Sequence, residues 1–277
     1  MQKYILKADG AQEIFDEEKI KSSLLRAGTE PENVAYIIDI IKKHLEEISK
    51  SKDIYRLVIK HLTKKQPEAA MRYTLKEAMM DMGPTGYVFE KYMAKILKEY
   101  GYDTKVGTIV KGFCVDHEID VIACKGGKHY MIECKYHNNR GVKSDIQTAL
   151  YVYARFLDLE KANPNNGEDY QFDNAWLATN TKCTSECIKY ANCVKMRIIA
   201  WHYPEDKNLE YYIEKKKLYP VSVLPGLKKV NKERLFENNI FTVKDLLKQS
   251  SSMIQELLSI DKSAADMLLA KAAMIIL

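Results

Sequence analysis

Carboxylates and a lysine recur on two neighbouring segments of the chain, in an order suited to phosphate chemistry. Asp120 closes an alternating run with Asp116 and Glu118, and after twelve intervening residues comes Glu133-Cys134-Lys135. Two carboxylates held side by side repel each other unless a cation lies between them, and Mg²⁺ and Mn²⁺ prefer such hard oxygen ligands. A lysine beside the cation can orient a water molecule and neutralise charge on a phosphate. The spacing indicates metal-dependent hydrolysis of phosphodiester bonds, with exposed surface ion pairs as the simpler alternative.

The elements that must position these side chains are predicted from the hydrophobic periodicity. Gly126-Gly127 forms a hairpin turn that brings Asp120 near Glu133 and Lys135. The predicted order is helix 87–100, strands 104–111, 115–123 and 129–135, helix 142–159, a polar loop at 163–169, strand 175–179, helix 185–193 and strand 197–201. This order predicts an α/β sandwich with a mixed sheet.

At these residues the chain resembles the PD-(D/E)XK nucleases, in particular the restriction endonucleases of the Mrr type. The resemblance covers roughly 83–204 and is carried by Asp120, by Glu133-Cys134-Lys135 and by the flanking segments 86–90, 117–121 and 176–180. One position departs from the signature, because Ile119 stands where the family usually has a proline.

The resemblance implies a role for each residue of this motif. Asp120, Glu133 and the main-chain carbonyl of Cys134 would hold the metal ion, and Lys135 would orient the attacking water or stabilise charge. Two residues on the neighbouring helices would support the site, namely the additional acidic residue Glu90 and the glutamine Gln147.

The amino-terminal segment has a different pattern, a small hairpin followed by helices. Strands are predicted over 3–7 and 12–15 with Asp9-Gly10 as the turn, and Asp16 caps a helix that Gly28 ends. Further helices are predicted over 31–48, 53–65 and 67–82. This segment resembles the ATP-cone domain of ribonucleotide reductases through four stretches, which are 4–10, 13–20, 51–54 and 71–73.

The ATP-cone resemblance implies a nucleotide pocket. Lys7 on the hairpin and Lys19 on the first helix would converge on a triphosphate, each as a point charge. Glu13, Ser51 and Tyr55 would lie near the nucleoside. ATP or dATP would regulate the protein, because no Walker-type phosphate loop indicates hydrolysis. A solvated charged face is the alternative interpretation of the two lysines.

Three cysteines raise a separate metal-site hypothesis. Cys183 and Cys187 are four residues apart, so on a helix they would share a face, and Cys193 follows, but a fourth ligand is missing unless His202 supplies it. Buried free thiols are the alternative that the pattern favours.

The carboxy-terminal segment consists of short amphipathic stretches separated by turns. Leu224-Pro225-Gly226-Leu227 and the stretch 238–247 resemble helix-hairpin-helix modules, in which backbone N–H groups of a turn bind a DNA phosphate without reading sequence. Basic residues near the turn would add positive charge, namely Lys228, Lys229, Lys232 and Arg234. A helical cap on the central core is the alternative.

The composition sets outer limits on the function. Hydrophobic residues make up 46% and charged residues 29% of the 277 residues, which excludes disordered and fibrous classes. No apolar run reaches the roughly 18 residues of a membrane helix, and the start lacks a signal peptide, so we expect a cytoplasmic chain with no membrane partner. A net charge of +5 permits an anionic partner without requiring one.

The sequence therefore predicts three domains: an ATP-cone domain over 1–82, a restriction endonuclease-like α/β domain over 83–218 and an all-α helix-hairpin-helix-like domain over 219–277. The main functional hypothesis is a Mg²⁺-dependent DNA endonuclease regulated by ATP or dATP. Two alternatives are a non-catalytic, nucleotide-responsive DNA-binding regulator and an RNA-processing nuclease, since the site chemistry does not distinguish the sugars. The ATP-cone resemblance further implies a homo-oligomer that assembles in response to nucleotide.

Overall fold

The structure, a computed structural model, describes residues 3–7, 10–139, 141–162 and 170–276. Asp9 of the predicted hairpin turn and the predicted loop at 163–169 lie outside the described residues. The chain divides into two compact units, one of Met1–Asp81 with Tyr219–Leu277 and the other of Met82–Leu218.

The amino-terminal part of the first unit is the predicted hairpin followed by helices. Strands β1 (Tyr4–Leu6) and β2 (Gln12–Ile14) pair antiparallel. The Asp16 carboxylate caps the first helix, because it accepts the N–H groups of Glu18 at 2.9 Å and Lys19 at 3.3 Å. The helices are α1 (Glu17–Arg26), α2 (Pro31–Lys43), α3 (Ser51–Lys65), α4 (Pro67–Tyr73) and α5 (Leu75–Met80). Buried side chains from β1 and from α1 to α4 form a common core.

Two of these helices differ from the prediction for a local reason. Helix α2 ends at Lys43 instead of 48, and the turns that follow bring Ile48 into the core, where it is 5% exposed. The predicted helix over 67–82 divides at Thr74, whose hydroxyl donates to the Met71 carbonyl at 2.7 Å. A threonine side chain that bonds to the backbone in this way competes with helical hydrogen bonds.

The second unit contains the predicted mixed sheet. Its elements are α6 (Tyr87–Glu99), β3 (Asp103–Lys111), β4 (Asp116–Lys125), β5 (Lys128–Lys135), β6 (Lys143–Ser144), α7 (Ile146–Lys161), β7 (Phe172–Thr179), β8 (Lys182–Cys183), α8 (Ser185–Cys193), β9 (Arg197–Ile199) and α9 (Leu209–Lys215). The strand order is β3-β4-β5-β7-β9, with antiparallel pairing from β3 to β5 and parallel pairing from β5 to β9. The buried faces of α7 and α8 pack on this sheet. Helix α7 begins four residues later than predicted because β6 pairs with β8.

The turn between β3 and β4 is fixed to the end of α7. The Asp158 carboxylate accepts the N–H of Cys114 at 2.8 Å and lies 2.8 Å from Nε2 of His117. Although desolvation opposes ionisation, these bonds hold the pKa of Asp158 at about 2. His117 thus helps to hold the turn against the end of α7.

We expect Gly112→Ala to destabilise this unit by about 2–3 kcal/mol, the upper part of the usual range for overpacking at a rigid site. A Cβ at Gly112 would collide with the Asp158 carboxylate and with the Val115 carbonyl oxygen. Urea unfolding monitored by tryptophan fluorescence measures the loss, because Trp176 and Trp201 both lie in this unit. The control is Gly126→Ala, where the added Cβ meets open space and only the φ of 61° opposes it, at a cost of about 1 kcal/mol. Equal losses in the two variants would contradict the collision.

The carboxy-terminal helices belong to the first unit. After a 3-10 turn at Val221–Val223 they are α10 (Lys229–Glu237), α11 (Val243–Leu246), α12 (Ser251–Leu258) and α13 (Lys262–Ile276). The Arg72 guanidinium on α4 donates to the Ile275 carbonyl at 3.3 Å, and the Ser222 hydroxyl donates to the Ala78 carbonyl at 2.8 Å. The tail therefore packs against the amino-terminal helices, a contact that the sequence analysis did not foresee. No helix in the described ranges combines the length and apolarity that a bilayer crossing requires.

Candidate active site

The candidate site lies where β4 and β5 separate. Their pairing extends from the turn as far as Val121 and Ile132, and the next residues on the two strands are Asp120 and Glu133. Beyond that point Asp120 Oδ2 accepts the N–H of Cys134 at 2.7 Å. Asp120 and Glu133 thus lie at the end of the strand ladder, close enough for the charge of Asp120 to act on the Glu133 carboxylate.

A third carboxylate, from α6, completes an acidic cluster. Burial raises the pKa of Glu90 to about 7, and the charges of Asp120, Glu118 and Glu133 add to the shift. Burial, followed by repulsion from Asp120, also raises the pKa of Glu133 to about 7. The pKa of Asp120 is raised by burial against the opposing effect of the Cys134 N–H. Burial is therefore the main cause of these raised pKa values, and repulsion among the neighbouring carboxylates adds to it.

Lys135 is the last residue of β5, and its side chain is exposed beside the cluster. The chain that follows it is clamped by Asn180, which lies directly after β7. Asn180 Oδ1 accepts the N–H of His137 at 2.9 Å, and Asn180 Nδ2 donates to the His137 carbonyl at 2.8 Å. His137 Nε2 lies 3.2 Å from the buried Ser144 hydroxyl. These bonds fix the backbone direction immediately beyond the lysine.

Arg155, which the sequence analysis missed, also reaches the cluster. From α7 its guanidinium forms an ion pair with Glu133 and donates to the Glu118 carbonyl. Arg155 lies on the buried stripe of α7 with Val152 and Phe156. A charged residue at helical spacing within an apolar stripe is the signal that could have identified it.

The donor set suits Mg²⁺ or Mn²⁺. Two carboxylates, of Asp120 and Glu133, and the Cys134 carbonyl are hard oxygen ligands, and a cation among them would relieve the repulsion described above. In the part of the chain that the structure describes, no group of three or more His, Cys, Asp and Glu side chains is placed so that it could hold a metal ion by itself. Mg²⁺ usually keeps several water ligands, so it needs only a few ligands from the protein, and two carboxylates with one carbonyl are sufficient.

Other predicted residues take less central positions. Gln147 is exposed in the first turn of α7, two turns before Arg155. Cys183 and Cys187 are buried with a hydrogen bond between their thiols, whereas Cys193 is exposed. The cysteine arrangement fits free thiols.

The five residues predicted to bind nucleotide all line one cavity of the first unit. It measures about 200 Å³, and its lining includes Lys7, Glu13, Lys19, Ser51 and Tyr55. The Glu13 carboxylate pairs with Lys7 at 2.8 Å and with Lys19. Tyr55 and Tyr73 also line the cavity and stack on each other, with ring centroids 5.9 Å apart. The cavity thus combines cationic groups with aromatic surface.

The basic residues of the tail are partly engaged within the chain. Lys232 pairs with Asp81, and Arg234 donates to the Ser259 hydroxyl at 3.0 Å. Lys229 lies 3.9 Å from Glu233, and its side chain is 75% exposed. Of the predicted charges near the Gly226 turn, Lys228 and Lys229 are thus the most exposed.

The comparison with protein families defines the class of protein. Residues 83–205 match the restriction endonuclease family, and residues 3–77 match the ATP cone domain. Residues 219–276 match the family described as AF1548-like, C-terminal. These matches confirm the predicted fusion of an ATP cone with a restriction endonuclease-like domain, followed by a helical tail.

Two further matches, one to a protein sequence and one to a solved structure, identify the family more closely. An uncharacterized protein of Archaeoglobus fulgidus is 44% identical over 145 residues, which span 52% of this chain and 76% of that protein. The crystal structure of AF1548, a protein of unknown function, is matched at 35% identity with a TM-score of 0.58, over 69% of this chain and 98% of that one. The chain therefore belongs to the AF1548 family.

Proposed function

We propose that this protein is a Mg²⁺- or Mn²⁺-dependent DNA endonuclease that is regulated by ATP or dATP. The observation that carries the proposal is the meeting of Asp120, Glu133 and Lys135 where β4 and β5 separate. The restriction endonuclease match supports the nuclease chemistry, and the cavity within the ATP-cone match supports the regulation.

Each residue has a defined part in the proposed reaction. Asp120 and Glu133, with the Cys134 carbonyl, would hold the metal ion. That ion, when bound, would supply Lewis-acid stabilisation of the phosphate and lower the pKa of a bound water. Lys135 directs an ammonium group at the scissile phosphate, where it neutralises charge that develops in the transition state. Glu90 and Gln147 would support the site from α6 and α7.

The direct test is cleavage of supercoiled and linear plasmid by the purified full chain. We expect nicking in Mg²⁺ or Mn²⁺, none in excess EDTA, and recovery when the metal is restored. Methylated and unmodified DNA, and an RNA transcript of the same sequence, identify the substrate. Binding of DNA without cleavage in any metal would refute the nuclease assignment and support the non-catalytic regulator instead.

A further inference from the structure

Arg155 occupies an unusual position for a charged residue, the apolar face of α7. Its side chain is 10% exposed, and the same face buries Ala149, Val152 and Phe156 against the sheet. Burying a guanidinium costs several kcal/mol unless its hydrogen bonds are satisfied. The partners of Arg155 therefore indicate why a charge is placed there.

The contacts of Arg155 join the two strands of the candidate site. Nη1 donates to Glu133 Oε2 on β5, and Nη2 donates to the Glu118 carbonyl on β4. Regular pairing of β4 with β5 stops at Val121 and Ile132, so the guanidinium bridges the gap beyond the ladder. The Tyr151 ring lies 5.3 Å from the guanidinium carbon and covers its outer side.

We propose that Arg155 is a positioning residue for the metal site, an inference that rests on the proposed nuclease function. By binding Oε2 of Glu133 it fixes the rotamer of that carboxylate and leaves Oε1 for the metal ion. Its bond to the Glu118 carbonyl sets the separation of the strands that carry Asp120 and Glu133. A lysine can supply the charge at this position, but it lacks the planar guanidinium that donates to Glu133 and to the Glu118 carbonyl at the same time.

The test compares Mn²⁺ binding to the full chain, measured by electron paramagnetic resonance without DNA. Arg155→Lys preserves the charge, so the attraction of the site for a cation is retained while the bridge is lost. We expect the Mn²⁺ dissociation constant to rise about 10- to 100-fold, the usual range when a partner of a metal ligand is removed. Arg197→Lys is the matched control, because Arg197 stacks on Trp176 in the same unit without touching a carboxylate of the site.

A double-mutant cycle shows whether Arg155 acts through Glu133. Glu133→Gln alone is expected to weaken Mn²⁺ binding, and adding Arg155→Lys should cause a smaller loss than it does in the wild-type background, because the part of its effect that acts through Glu133 is already lost. Wild-type affinity in Arg155→Lys, or an equal loss in both backgrounds, would overturn the inference. Unchanged Mn²⁺ binding in Glu133→Gln would instead refute the metal site of the proposed function.

A milder variant keeps the test valid if Arg155→Lys does not fold. Tyr151→Leu removes the ring beside the guanidinium at a side chain that is 58% exposed. An exposed cation–π contact contributes about 0.5–1 kcal/mol, so we expect a two- to fivefold loss of Mn²⁺ affinity. No change in affinity would count against the bridge.

Discussion

Lys135→Met is expected to reduce plasmid cleavage by at least about 100-fold while leaving DNA binding within about twofold. Removing one preorganised charge that stabilises a transition state typically costs about 10²–10³ in rate. The side chain is exposed at the end of β5, so its replacement leaves no cavity in the core. Initial rates of nicking in saturating Mg²⁺ give the loss, and fluorescence anisotropy with labelled duplex in EDTA gives the binding.

The matched control lies on the same strand. Lys128 is the first residue of β5, exposed beside the turn to β4 and seven residues before Lys135. Lys128→Met removes the same charge from the same strand and should cleave at the wild-type rate. A comparable loss in both variants would indicate a general electrostatic effect on DNA binding, and an unchanged rate in Lys135→Met would remove Lys135 from the reaction. Because Lys135→Met is expected to be inactive, the same preparation also shows whether a contaminating nuclease contributes to the measured cleavage.

The neighbouring positions of Asp120 and Glu133 were predictable because strand geometry is local. Alternation along β4 and a short turn to β5 are sufficient to bring Asp120 beside Glu133, and the structure places them as the spacing indicates. The convergence of the five residues named for nucleotide binding on one cavity was predictable for another reason, since the motif that resembles the ATP cone spans several elements.

The partner of Arg155 and the placement of the tail could not be derived in the same way. Arg155 contacts Glu133 across 22 residues of sequence, and Arg72 contacts Ile275 across 203. No periodicity encodes such pairings, because they depend on how completed elements pack. The pairing of β6 with β8 was missed because two-residue strands are too short to show alternation.

Lys19→Met is expected to weaken ATP and dATP binding by about 10- to 100-fold. A hydrogen bond to a charged group contributes about 1.5–3 kcal/mol, and Lys19 supplies one of the two ammonium groups on the cavity wall. In the free pocket Glu13 pairs with both Lys7 and Lys19, so a triphosphate must compete with that carboxylate. We therefore also expect the affinity to fall as salt is raised, since these groups are partly exposed.

Isothermal titration with ATP, dATP and adenosine separates the contribution of the phosphates from that of the nucleoside. Adenosine lacks the triphosphate, so Lys19→Met should leave its affinity unchanged if the lysine contacts phosphate. The control is Lys21→Met on the same helix, whose ammonium group pairs with Glu17 at 2.7 Å and Glu18 at 2.9 Å outside the cavity. An equal loss for adenosine and ATP would mean that the substitution has deformed the pocket. Wild-type ATP affinity in Lys19→Met would exclude this lysine from triphosphate binding.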